Sequence, residues 1–399
     1  MTPRRVKHPF SRALTTLVAL AGTAVLAAGC GSSSSSTSTG SHASGSSSAG
    51  VGHAKAIVAS LSRTTTSFPA PGPPLTNAKS LAGKTVWYIP ISLSVPVFAI
   101  ANNSLHTALA KVGIHEHACS GESNPSATAA CINQAVARGA GAIITDAVPV
   151  VLAANAFASA ESHHIPVLIV NQLPPSGHIP GAVKGVGNDK LGYALLQDSA
   201  LVNAEADWVI ADSNGKGNVL VMPFTDSPST LAYAASAVAT LHKLCPGCKV
   251  TTQKVGLANA GLIPSQTSSA LLRNQGVKYV MPEFDAVLQA VGQGLQQAGF
   301  GQRVKVATGG GDLPALQEIK AGRLALDVGQ DFPYEGWADA DEVIRMMLGK
   351  PVVRERVPVR LFTAANVGSL RLTPAAQASG EWYGGNAYTT MFEHLWGVG

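Results

Sequence analysis

A chain of 399 residues is longer than one compact core ordinarily holds and suits two domains with appendages. Its formal charge of +5 would suggest nucleic acid, but Arg4, Arg5, Lys7 and Arg12 all precede Gly29, where no acidic residue occurs. Without that segment the charge is +5 − 4 = +1, so no nucleic-acid partner is expected.

The basic start runs into apolar residues Ala13 to Ala28, and small residues Ala27, Ala28 and Gly29 precede Cys30, which is the layout of an export signal over residues 1–29. The stretch is too short to serve as a permanent membrane helix. Its spacing resembles a bacterial lipoprotein signal, which implies that Cys30 is acylated and holds the chain at the outer face of the cell membrane or in the periplasm. Residues 30–50 are nearly all Ser, Gly and Thr, cannot bury apolar area, and are expected to form a flexible tether. Cys119, Cys131, Cys245 and Cys248 make an even number in an exported chain, and two disulfides are the natural expectation.

Residues 51–83 form a leader, weakly helical over Val51 to Thr66 and stopped by prolines 69, 71, 73 and 74, that packs on the body or stays free of it. The body begins near Lys84 with a strand over Thr85 to Ile91, a loop over Ser92 to Pro96 and a helix over Val97 to Val112. A short strand or loop at His115 to Cys119 and a helix near Pro125 to Arg138 follow. The apolar run Ala142 to Ile144 ends in Thr145 and Asp146, and Pro166 to Val170 ends in Asn171 and Gln172, with a helical span between. Continuous apolar runs mark strands buried on both faces of a parallel sheet, so polar groups gather where strands stop, the rim where ligands bind in open sheets.

A second series follows a helical span from Lys190 to Asp212. Its strands are Asn218 to Met222, Lys249 to Val255, Tyr279 to Met281, Val304 to Ala307 and Ala325 to Val328, with helices between. Their exits carry Thr225, Asp226, Phe284, Asp285, Gly310, Asp312 and Gln330. The expected fold is α/β, two doubly wound Rossmann-like lobes joined by a hinge of several crossings. The first lobe takes residues 84–186 and 331–355, the second 187–330 and 356–372, and 373–399 is a tail.

Tyr88 to Phe98, Ala140 to Thr145, Ile165 to Val170, Val186-Gly-Asn-Asp189, Asp285 with Gln296 to Gly299, Leu316 to Gly322, and Gly329-Gln-Asp331 with Gly336 occur in an order and spacing that resemble the periplasmic sugar-binding protein family, the solute receptors of ABC importers related to the ribose-binding protein. The resemblance covers roughly Lys84 to Val367. It implies a monomer, with no cofactor or metal, that grips a small solute, of carbohydrate character, and presents it to a membrane permease without chemistry. The residues it implies for the ligand are Ser92, Ser94, Asp146, Asn171, Gln172, Thr225, Asp226, Asp285, Gly310, Asp312 and Gln330, with Phe98 and Phe284 stacking on it. Departures from the family point to a neutral ligand. Asn171-Gln172 replaces a common Asp-Arg, Tyr233 or Ala234 stands where an arginine is usual, Phe284 replaces an Asn, and Gly310 falls where an Asp is usual.

Cys245-Pro-Gly-Cys248 with His242 lacks a second ligand pair for zinc and follows a helix rather than opening one, which favours a structural disulfide over redox work. A bridge between Cys119 and Cys131 would close a loop of modest length; two unpaired buried thiols are the alternative. Gly309-Gly-Gly311 lacks the lysine of a phosphate loop and reads as a strand exit where backbone passes close to a ligand. Two other functions are compatible with the chain: ligand-dependent signalling to a membrane sensor, and secreted hydrolysis using Asp285 or Asp312 as acid or base.

Overall fold

The computed structural model describes residues 41–174, 186–187, 190–194 and 199–399. The expected export signal, Cys30 and most of the tether lie outside these residues, as do Asn188 and Asp189. Among the described residues no helix is long and apolar enough to cross a membrane.

Two six-stranded sheets form the body. The first contains β1 (Thr85–Pro90), β2 (His115–Ala118), β3 (Ala142–Asp146), β4 (Val167–Val170), β5 (Val186–Gly187) and β6 (Leu191–Ala194) in the order β2-β1-β3-β4-β6-β5. All pairings are parallel except β5 with β6. The helix α1 (Ser41–Leu61) precedes it, and α2 (Pro96–Val112), α3 (Pro125–Ala137) and α4 (Ala154–Ser162) connect its strands. β3 and β4 are buried at every position, as their uninterrupted apolar runs require when helices cover both faces. Asn124 starts α3 by accepting the Ser126 and Ala127 amides, with Pro125 supplying a first-turn residue that needs no amide partner.

The second sheet repeats the plan with α5 (Ala200–Asp212), β7 (Asn218–Met222), α6 (Pro228–Leu244), β8 (Lys249–Thr252), α7 (Ile263–Arg273), β9 (Tyr279–Pro282), α8 (Leu288–Gln297), β10 (Lys305–Gly310), α9 (Leu313–Lys320) and β11 (Leu326–Gln330). After α10 (Phe332–Met347) the strand β12 (Val359–Phe362) joins it antiparallel to β11, giving the order β12-β11-β10-β9-β7-β8. α10 belongs to the first lobe, packed on α2 so closely that a Cβ at Gly336 would lie 2.3 Å from the Ala101 carbonyl oxygen. From β6 to β12 the described chain therefore passes between lobes three times: between β6 and α5, between β11 and α10, and between α10 and β12; outside that span α1 packs on the second lobe and the tail touches both cores.

The structure departs from the sequence expectations in three places. Residues 190–212 are not one helical span, because Leu191–Ala194 forms β6 beside β4 and the helix starts only at Ala200. A four-residue apolar run does not reveal its period, and pairing decides it. The first sheet consequently extends past residue 186, where the lobe boundary was expected. Thirdly, α1 starts at Ser41, inside the expected coil, and buries Val51 and Ala54 with Trp208, Tyr233 and Leu241 of the second lobe. That packing overrides the weak helix propensity of Ser and Gly.

The leader and tail cover α10. The Phe68 ring stacks on Tyr334 at 5.9 Å between centroids, and Trp337 stacks on Trp396 at 5.6 Å. Trp396 lies just past α13 (Tyr388–Leu395), the last of three short tail helices after α11 (Ala364–Val367) and α12 (Pro374–Ala378). Arg345 pairs with Asp341 at 2.7 Å and donates to the Pro73 carbonyl, while Trp396 Nε1 donates to Asp341 Oδ1 at 2.7 Å. The leader and tail are also tied to each other, since Thr65 N donates to Tyr383 O and Leu75 N to Leu395 O.

Cys119 is joined to Cys131 and Cys245 to Cys248, with Cα atoms 5.8 and 5.3 Å apart. The first bridge fastens the loop after β2 to α3, and the second closes the turn after α6. Replacing both Cys119 and Cys131 by Ser should lower unfolding stability by about 3 kcal/mol on the chain-entropy scale, measured by denaturant titration. Equal midpoints for parent and double variant would show that the bridge contributes nothing.

Candidate functional site

The strand ends of both sheets carry most of the polar residues singled out above, in two groups. In the first, Asp146 at the end of β3 accepts from Tyr88 Oη at 2.7 Å and from Asn171 Nδ2 at 2.9 Å. The same Asn171 nitrogen donates to Glu335 Oε1 at 2.7 Å, and Gln330 Nε2 donates to Glu335 Oε2. Asp146, Asn171 and Gln330, which the family resemblance pointed to, thus form one network, with Glu335 of α10 as the link that sequence reasoning missed. An acidic residue on a helix ordinarily reads as a solvated face, and nothing local distinguishes Glu335. Asp146 is fully buried and Gln330 is 1% exposed, so both turn inward rather than line an open surface. Burial pushes the Asp146 carboxyl up to about 6, and burial together with the Asp146 charge raises Glu335 well above the usual carboxylate range.

The second group surrounds the exit of β10. Asp312 N donates to Asp285 Oδ2 at 3.1 Å, and Gly311 N donates to Asp327 Oδ1 at 3.1 Å. Gly310 and Gly311 have φ of 149° and 81°, in the region that favours glycine. A Cβ at Gly310 would lie 2.6 Å from Asp285 Oδ2, and one at Gly311 2.3 Å from Tyr383 Oη. The close approach expected at these glycines is therefore made by the protein's own Asp285 and Tyr383. Burial lifts Asp285, Asp327 and the Tyr383 phenol well above their usual values, and lifts Asp312 to about 6.

The remaining candidates are spread along the rim. Ser92 Oγ and Ser94 Oγ are 2.8 Å apart on the β1–α2 loop, with Ser94 exposed and Phe98 half-buried on the first turn of α2. Phe284, after β9, packs edge-on against Phe224 at 5.5 Å. Exposed Thr225 and Asp226 serve the adjacent loop: Thr225 Oγ1 donates to Val255 O, and the Asp226 carboxylate accepts from Leu257 N at 3.0 and 3.1 Å. Gln172 is buried with Oε1 unpartnered, and lines a cavity of about 240 Å³. Its walls come from both lobes, Pro149, Leu173 and Tyr193 on one side and Pro228 and Ser229 at the start of α6 on the other. The lobes meet beside it, where Leu173 N donates to Ser229 Oγ at 2.9 Å. Sequence reasoning missed Tyr193 because its strand was read as helix, and missed Pro149 and Ser229 because they face each other across the cavity only when the lobes pack together.

Two parallel-dominated α/β lobes, three crossings between them and a cavity walled by both define a two-lobed binding protein. A family profile described as the periplasmic binding protein domain matches residues 86–351, and the chain belongs to that family. Solved structures agree on the fold. An ABC transporter solute binding protein from Agrobacterium vitis, bound with alpha-D-tagatopyranose, superposes with a TM-score of 0.62 at 18% identity over 73% of this chain and 97% of that one. One from Bacillus halodurans C-125 with bound myo-inositol gives 0.60 at 16% identity, covering 72% and 96%. The Caulobacter myo-inositol binding protein bound to myo-inositol gives 0.60 at 19%, covering 71% and 94%. No curated protein sequence matches the chain.

Asp312 supplies a pH test. A carboxyl raised to about 6 in the folded chain keeps a proton that the unfolded chain releases near pH 4, so its stabilising contribution is complete below about 4 and is lost as pH rises through about 6. In ligand-free protein, Asp312→Asn should reduce the fall in stability between pH 4 and 7 by up to about 3 kcal/mol. Parallel pH profiles for parent and variant would contradict the raised value.

Proposed function

We propose that this protein is an exported solute receptor that closes its two lobes on one small, neutral sugar or polyol and hands it to the permease of an ABC importer. The observation that carries the reading is the cavity walled by both lobes. A ligand there touches each lobe, so it stabilises the closed pairing of the two by the difference in its affinity for closed and open forms. Apolar walls with few polar atoms suit a sugar ring, whose C–H face packs on Tyr193, Pro149 and Pro228 while its hydroxyls meet the unpartnered Gln172 Oε1 and the Ser229 hydroxyl, which accepts from Leu173 N and keeps its own proton to donate. Ser92, Ser94, Phe98, Phe284, Asp285 and Asp312 stand at the surrounding strand exits, where the closing lobes bring further donors, acceptors and rings to the ligand. The relatives that bind alpha-D-tagatopyranose and myo-inositol support this ligand class. With the substitutions at Asn171-Gln172 and Phe284, charge complementarity to an anionic sugar is weak, which favours a neutral one.

In this reading Cys30 carries the lipid anchor, the lobes span 84–194 with 331–355 and 199–330 with 356–372, the receptor acts as a monomer, and no bond of the ligand is broken. A thermal-shift screen of neutral monosaccharides and polyols on the purified protein should find one that raises Tm at one-to-one stoichiometry, returned unchanged after incubation. Gln172→Ala should weaken its binding by about tenfold in calorimetry, the cost of one buried hydrogen bond. A full panel with no shift, or conversion of the bound solute, would overturn the proposal.

A further inference from the structure

Asp146, Glu335 and Asp339 are all fully buried, and one carboxylate oxygen of each lies within 4.8 Å of those of the other two. Opposed ligands around a calcium ion are separated by about twice the 2.3–2.6 Å Ca–O distance, so this spacing matches a shared ion. Asp146 and Glu335 are partly satisfied by Tyr88, Asn171 and Gln330, whereas both oxygens of Asp339 have no partner. The charges acting most strongly on Asp339 are Glu335, Asp146 and Glu342, all negative. Three acidic groups packed in this way require either protons or a cation.

A second observation distinguishes the two. Asn171 Oδ1 and Gln330 Oε1 are neutral amide oxygens, 7% and 1% exposed by residue, and neither has a hydrogen-bond partner. Each belongs to an amide whose nitrogen is held on a carboxylate of the cluster. A proton shared by Asp146 and Glu335 would still leave both amide oxygens without a donor unless a further carboxyl O–H turned onto them, whereas one cation can take carboxylate and amide oxygens together. Five side chains offering only oxygen, two of them uncharged and three able to bind through one or two atoms, fit the six to eight oxygens of calcium better than the strict octahedron and retained waters of magnesium.

We infer that Asp146, Glu335, Asp339, Asn171 and Gln330 form a calcium site at the junction of the two lobes. Asp146 and Asn171 end strands of the first sheet, Gln330 ends β11 of the second, and Glu335 and Asp339 belong to α10. The ion therefore ties the β11–α10 crossing to the first lobe and narrows the angles through which the lobes open. Asn171, the most exposed of the five, marks the side from which the ion enters.

The test uses the full mature chain stripped with a chelator, then titrated with CaCl2 alone and read by calorimetry, thermal shift and elemental analysis. One calcium per chain and a higher Tm are expected, with affinity falling at least about tenfold in Asp339→Asn and in Glu335→Gln. Asp339→Asn also removes a buried like charge, so its stripped form should be no less stable than the stripped parent. That comparison separates loss of the site from loss of the fold, and sugar binding, read separately, tests the receptor function. Absence of bound metal and of any shift at millimolar calcium would overturn the site. So would a preference for magnesium, or a calcium response that both variants retain in full.

Discussion

Helix α10 is buried at every residue from Phe332 to Met346 while carrying Glu335, Asp339, Asp341, Glu342 and Arg345. Charged groups in that position are costly unless each finds a partner, and most of the architecture around the helix supplies partners. Arg345 meets Asp341, the Val353 amide sits on both oxygens of Glu342 at 3.0 Å, Trp396 donates to Asp341, and the amides of Asn171 and Gln330 sit on Glu335. The leader and tail, which a plain two-lobed body would not need, provide the aromatic cover over this helix and so complete the first lobe's core.

Because α10 lies between two of the three crossings, its packing also governs how the lobes are joined. Asp331 starts the helix by accepting the Tyr334 amide, while its own amide donates to the Pro358 carbonyl just before β12. The outgoing and returning crossings are therefore fastened to each other at one residue. Several crossings side by side constrain relative twisting of two lobes more than hinge opening, which is the motion that domain closure around a ligand uses. For a two-lobed binding protein that restriction matters, since ligand energy is then used for closure rather than for selecting among many relative orientations.

The two lobes differ in how their strand exits are used. In the second, Glu205, Glu283, Asp285 and Asp327 are all raised by burial, and the glycine exit of β10 is occupied by Asp285 and by Tyr383 of the tail. Glu205, Glu283, Asp327 and Tyr383 are held inside the protein, and none of these groups lines the cavity between the lobes. The cavity between the lobes is instead lined mainly by apolar surface, with Gln172 and Ser229 among its polar side chains.

The sequence by itself determined the β-α rhythm, the two lobes and the crowding of polar residues at strand ends, because buried parallel strands write themselves as unbroken apolar runs such as Ala142 to Ile144 and Pro166 to Val170. It also placed Asp146, Asn171 and Gln330 at strand ends, and the structure joins them through Glu335 in one hydrogen-bonded network. Tertiary structure alone decided that Leu191–Ala194 is a strand, that Ser41 begins a helix and that Glu335 and Asp339 are buried. The physical reason is common to all three: a four-residue run, a Ser-rich segment and an acidic helix face each have several acceptable local conformations or exposures. Only the neighbours, brought from more than a hundred residues away in the case of Asn171 and Glu335, select one of them.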